Sequence, residues 1–232
     1  TKQRTTQTMT TSGTTTFNMD IDEIIDEALD MIGGEADLGK EPKSARRSLN
    51  LILTDWQNRG ILLWKTGLGT VTTIEGQTSY DLDQDIIDIT EASIRRSGTD
   101  IELTRISMDN YQELPNKSTQ GRPNQYAVHR KRDNIEVYLW PVPENSTDIF
   151  RFWNVNRYQD FTKSVDDADV PFRFLPCLIY GLAYYMSIKR PGVPGDRIAF
   201  LKQVYDECLH NAMEEDRQRA PFRAIPRFRV VV

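Results

Sequence analysis

The clearest hydrophobic period in the chain comes early. In "NMDIDEIIDEALDMIGG", Ile21, Ile24, Ile25, Ala28, Leu29 and Ile32 recur at the spacing of one helix face. Asp20 or Asn18 can cap this helix, acids fill its first turns where the dipole favours them, and Gly33-Gly34 ends it. A second helix opens at Pro42, a residue tolerated in a first turn, and sets Ala45, Leu49, Ile52, Leu53 and Trp56 on one side, with Gly60 as its stop. From about Thr66 to Tyr158 the period shortens to two. "TVTTI", "TSYDL", "DIIDITEASIRR", "DIELTRI", "NQYAVHR", "NIEVYLW" and "DIFRFWNVNRY" read as strands between turn-forming segments. In "NIEVYLW", Ile135, Val137 and Leu139 face one way and Glu136, Tyr138 and Trp140 the other. Ser107 can cap one short helix within this region, "SMDNYQEL". Helical spacing returns in "PFRFLPCLIYGLAYYMSIKRPG", which is apolar almost all round and so belongs at a buried centre, with Pro176 ending a preliminary turn. The last helix, in "PGDRIAFLKQVYDECLHNAMEEDRQR", sets Ile198, Leu201, Tyr205, Cys208 and Ala212 inward.

The expected fold class is α+β: an antiparallel helical bundle of two N-terminal and two C-terminal helices, an inserted antiparallel β domain (a sandwich or small barrel), and an extended C-terminal tail. The boundaries are a Thr-rich arm at 1–17, the bundle at 18–65 and 170–217, the β domain at 66–169, and the tail at 218–232. The arm is too low in complexity to bury much surface alone and is expected to be flexible, but threonine favours strands, so it can order against a neighbouring subunit. Trp140, Phe150, Phe152 and Trp153 are core candidates of the β domain.

Composition narrows the function. A net charge of -5 argues against general nucleic-acid or membrane affinity. No run approaches the ~18 apolar residues of a membrane span, and the start lacks the apolar core of a signal peptide. Cys177 and Cys208 lie in apolar helical patterns, which points to a reduced, intracellular setting with both as small core residues; a disulfide between them is the alternative. His129 and His210 have no partner at metal-ligand spacing, so neither a catalytic site nor a metal site is expected. The glycines of "GLGT" and "IGGEADLGK" do not form phosphate-cradling loops. Acids in "DIDEIIDE", "DLDQDIID" and "SVDDAD" offer carboxylates for hydrolysis or cation binding, yet the first set occupies a polar helix face and the third a loop. "HRKRDN", near Tyr126 and Tyr138, offers a nucleic-acid contact or a solvated turn beside acidic neighbours.

Four stretches in order, "SARRSLNLILTDWQNRGILLW", "NKSTQGRPNQYAV", "YLWPVPENSTD" and "DVPFRFLPCLIYGLAYYMSIKRPG", resemble the head-to-tail adaptor (head-completion, tail-accessory) proteins of tailed bacteriophages, short-tailed ones in particular. The likeness spans roughly residues 17–226; the Thr-rich start departs from the pattern. It implies a structural virion protein without cofactor, at the head–tail interface and assembled in the host cytoplasm. Such adaptors form a ring, usually of twelve copies, under the portal protein, extend the DNA channel, pass genomic DNA without reading its sequence, and present a platform for tail or nozzle proteins; no membrane is involved. In this light the last residues become a docking tail, since the resemblance implies a C-terminal segment that reaches the portal. Arg219, Phe222, Arg223, Ile225, Arg227, Phe228, Arg229 and Val230 are the candidate portal contacts, with Pro221 and Pro226 forbidding helix. The acids Asp22, Glu23, Asp26, Glu27 and Asp30 are candidates to face the channel, where negative charge lets DNA slide; an ordinary wet helix face is the alternative. A cell-wall-degrading tail component and a nucleic-acid-binding protein are the competing functions.

Overall fold

The computed structural model describes residues 14, 17–33, 41–163 and 166–215. Helix α1 (Ile21–Ile32) begins at a capping box: the Asp20 carboxylate accepts from the Glu23 N–H at 2.9 Å and the Glu23 side chain accepts from the Asp20 N–H at 3.2 Å. Gly33, at φ 78°, closes it in the left-handed region, and all six apolar positions of its period are buried. Helix α2 (Glu41–Asn58) ends in a Schellman motif, with Ile61 N–H donating to the Trp56 carbonyl and Gly60 N–H to that of Gln57. Gly60 has φ 80°, as its place at the helix stop requires, and Ile61 is buried.

Among its described residues, the intervening chain forms, after a 3-10 turn at Leu63–Lys65, ten strands and one α-helix. These are β1 (Thr66–Thr72), β2 (Ser79–Asp81), β3 (Ile86–Arg96), β4 (Thr99–Glu102), β5 (Thr104–Ile106), α3 (Met108–Glu113), β6 (Gln120–Gly121), β7 (Gln125–Arg130), β8 (Ile135–Trp140), β9 (Val142–Pro143) and β10 (Ile149–Asn156). A three-residue 3-10 turn at Phe172–Phe174 then leads into α4 (Leu175–Lys189), and α5 (Gly195–Glu215) follows. That turn is the preliminary one expected before Pro176, which sits in the first turn of α4.

Two compact units result. One comprises the described residues within 1–52 and 161–232; the other is Leu53–Asp160. In the first, α4 contacts both α1 and α5. It is buried on nearly every side, through Leu178, Leu182, Ala183 and Met186 among others. Gly181 lets α5 come close: a Cβ there would lie 2.9 Å from the Tyr205 ring. Ser48 of α2 accepts from Lys189 Nζ at 2.6 Å, and the Arg197 guanidinium of α5 donates to the Met31 carbonyl at the C-terminal end of α1, where carbonyls lack partners and a cation meets the negative dipole end.

In the second unit, one sheet runs β1-β10-β3-β4, wholly antiparallel, and another runs β2-β8-β7-β5. Inward residues from both, including Ile89, Ile94, Tyr126, Val137, Leu139 and Phe150, share one core. Two details correct the expectation of a purely antiparallel domain: β5 pairs with β7, and β6 with β9, in parallel. Parallel pairing needs a crossover, and the segment carrying α3, capped by Ser107 as expected, supplies it between β5 and β7. "DIELTRI" is two strands rather than one. Leu103 is buried and its N–H donates to the Ala92 carbonyl, while the next N–H, of Thr104, donates to that of Asn124, so the chain changes sheets within one residue. The first strand also starts earlier than "TVTTI" and ends sooner. Gly69 lies in it because Phe152 covers that position; a Cβ there would sit 2.3 Å from the ring.

Candidate interaction surface

The acidic face of α1 is the same helix period seen from the other side. Since Ile21, Ile24, Ile25, Ala28 and Leu29 point inward, Asp22, Glu23, Asp26, Glu27 and Asp30 are exposed. Glu23 belongs to the capping box; the other four make no ion pair with a described residue. The C-terminal candidates Arg219, Phe222, Arg223, Ile225, Arg227, Phe228, Arg229 and Val230 lie outside the described residues.

The basic clusters of the β unit are largely spent on carboxylates. Arg105 and Arg130 both clamp Asp88. Burial pushes the Asp88 carboxyl up, but the Arg105 hydrogen bond, the Ile89 N–H and Arg130 together hold it below its ordinary value. Arg96 bonds Asp148 through two nitrogens and reaches Glu144 at 2.8 Å; the Asp148 side chain is 2% exposed. Its guanidinium is held protonated chiefly by the Asp148 hydrogen bonds. Arg95 and Arg151 share Asp100. In the "HRKRDN" turn, Lys131 reaches Asp81 and Glu136, and Arg130 is already paired with Asp88. Acidic neighbours therefore account for that turn better than a nucleic-acid contact does; Arg132 at its tip is 93% exposed and lies 3.5 Å from Asp133.

His129 lies 3.7 Å from Glu136 and His210 the same distance from Glu214, both at the surface. Among the described residues no group of His, Cys, Asp or Glu could hold a metal ion, and no helix is long and apolar enough to cross a membrane. Both cysteines are free. Cys177 is buried, with its thiol pushed up to about 12 chiefly by burial, whereas Cys208 is only half-buried and Leu209 takes the inward place expected of it.

The aromatic core candidates divide. Phe150 and Phe152 are buried, but Trp153 is 47% exposed and Trp140 half-buried, its indole N–H donating to the Asn116 carbonyl. Strand alternation explains both, because 150 and 152 face the core and 153 cannot. Trp153 instead lies across from Leu68 of β1, itself 49% exposed, on the outer face of the sheet. This exposed pair was missed from sequence, although parity alone was enough to find half of it.

A family model described as the SU10 adaptor protein matches residues 19–226. The chain belongs to the SU10 adaptor protein family. No match was found among curated proteins. The span takes in both units and every described helix and strand. The resemblance to phage head–tail adaptors is thereby established, and with it a structural role as a component of the virion. Adaptors act by contact with portal and tail proteins in general, and the family is not one of enzymes.

Proposed function

We infer that this SU10 adaptor forms a dodecameric ring under the portal of a short-tailed phage, extends the DNA channel and carries tail or nozzle proteins. The family match over residues 19–226 supports the reading. A ring of identical copies needs a heterologous interface, in which two different patches meet. The antiparallel bundle of residues 18–65 and 170–217 is the packing unit of that ring, and the β domain of residues 66–169 meets tail components. The acidic face of α1 lines the channel, where its carboxylates repel DNA phosphates and let the genome slide.

Residues 218–232 dock on the portal. The thirteen residues from Ala220 reach about 43 Å when extended. Phe222, Ile225, Phe228 and Val230 are apolar anchors, each worth about 1.5–3 kcal/mol when fully buried. Arg219, Arg223, Arg227 and Arg229 suit bidentate pairing with portal carboxylates. Ordering costs about 1–2 kcal/mol per residue, so one tail binds modestly and the ring gains by avidity. Truncation after Arg219 should leave a folded protein that no longer co-sediments with the portal of the same particle; normal joining removes the tail assignment. Lysine at Asp22, Asp26 and Asp30 should slow DNA release from particles carrying the variant, and unchanged release removes the channel assignment.

A further inference from the structure

Four strands form the edges of the two larger sheets, and three of them are short and charged. Strand β4 carries Asp100 and Glu102, β2 carries Asp81, and β5 carries Arg105. Shortness and charge are how sheets protect their edges. Strand β1 has neither protection. It is seven residues long, "TGLGTVT", without a charge or a proline, and its pairing with β10 runs without a bulge. Among the described residues, no backbone hydrogen bond reaches its outer side. The exposed Leu68–Trp153 pair lies on the outer face of the sheet, Leu68 on β1 and Trp153 on its neighbour β10, and borders a groove of about 220 Å³ that crosses to Glu91 of β3 and Glu102 of β4. Neither of those carboxylates pairs with a described residue.

We propose that β1 receives residues 5–16 of the N-terminal arm of a second copy of this chain as an added strand. The segment "TTQTMTTSGTTT" has eight threonines and no proline, so every residue can donate to a ladder. Its threonines match Thr66, Thr70 and Thr72 as cross-strand pairs. Met9, the one large apolar side chain in residues 1–16, covers Leu68 and Trp153. Twelve extended residues span about 40 Å, and β1 needs about 23 Å, so length remains to bridge two copies. The C-terminal segment fits less well, because Pro221 and Pro226 interrupt any ladder. That the arm comes from a second copy rests on the ring reading: arm and edge are the two unlike patches of a heterologous contact.

The test mixes unlabelled chain with nitrogen-15 chain bearing a photo-crosslinking amino acid at Thr70, with the portal present. The expected product joins the heavy β1 peptide to the light peptide containing residues 5–16. Crosslinks confined to the heavy chain's own arm, crosslinks to residues 218–232, or no crosslink at all overturn the proposal. Complex mass, read separately, distinguishes the two readings. Copies joined arm to edge without a closed ring support the arm assignment and sink the ring, while a ring without the crosslink does the reverse. Deleting residues 1–16, or Thr70→Lys, should each raise the concentration at which half the assembly dissociates by about tenfold, and the two together no further, as expected of partners in one contact; additive effects overturn the pairing.

Discussion

In the helical unit, α4 is buried in nearly every direction, and its ties to other elements include neutral acceptors, as with Lys189 to the Ser48 hydroxyl in α2; Arg197 of α5 likewise donates to the Met31 carbonyl of α1. In the β unit the ties are carboxylate–guanidinium clamps, with Asp88 held by two arginines, Asp100 by two, and buried Asp148 by Arg96. The contrast follows from geometry. A helix satisfies its backbone internally and needs only a filled face. A small sandwich with strands leaving one sheet for another must pin loops and register from outside, and paired charges at strand ends do this where apolar volume is short.

The two units should therefore fail for different reasons. The largest expected effect comes from deleting one interaction in each. Leu178→Ala, at a fully buried site, should cost about 2–5 kcal/mol as transfer and cavity terms, while Asp148→Ala leaves Arg96 paired with Glu144 and should cost about 1.5–3 kcal/mol for its lost charged hydrogen bonds. Hydrogen exchange locates each loss: Asp148→Ala should expose peptides from 86–96 and 149–156 first, and Leu178→Ala those from 175–189. If both variants open both units equally, the units are not independent and the contrast fails.

A smaller effect sharpens the electrostatic half. The Asp88 carboxyl titrates below its ordinary value in the folded chain, so its contribution is fully present above the unfolded carboxylate value near ~3.9 and is lost as pH falls through the folded one. The β unit should loosen in acid before the helical unit does. Asp88→Asn should cost about 1.5–3 kcal/mol at neutral pH, as expected for lost charged hydrogen bonds, and should flatten that acid dependence. An unchanged pH profile in Asp88→Asn would assign the acid sensitivity elsewhere.

Legibility in the sequence followed the range of the interaction. All six apolar positions of α1, its Asp20 cap and its Gly33 stop were readable because each depends on neighbours within about four residues. The alternation of β8 was readable for the same reason. Aromatic character marks Trp153 as a core residue, but its parity in β10 turns it outward. The break in "DIELTRI" was hidden, since nothing local marks Leu103 as the residue at which the hydrogen-bond partner changes from Ala92 to the chain at Asn124. Of the candidate surfaces, the acidic face of α1 emerged from periodicity alone, while the Leu68–Trp153 pair required the β1–β10 register.

By itself, then, the sequence determined where the helices and most of the longer strands run, the Asp20, Gly33, Gly60 and Ser107 stops and caps, and the inward sides of α1 and β8, because backbone periodicity is a local property of the chain. The tertiary structure alone assigned strand partners. It chose parallel pairing for β5, gave Asp88 its two arginines, and left β1 as a long, uncharged edge beside an exposed tryptophan. Those outcomes depend on which residues distant in sequence meet, and a strand's unpaired edge is defined only once every other strand has found its place.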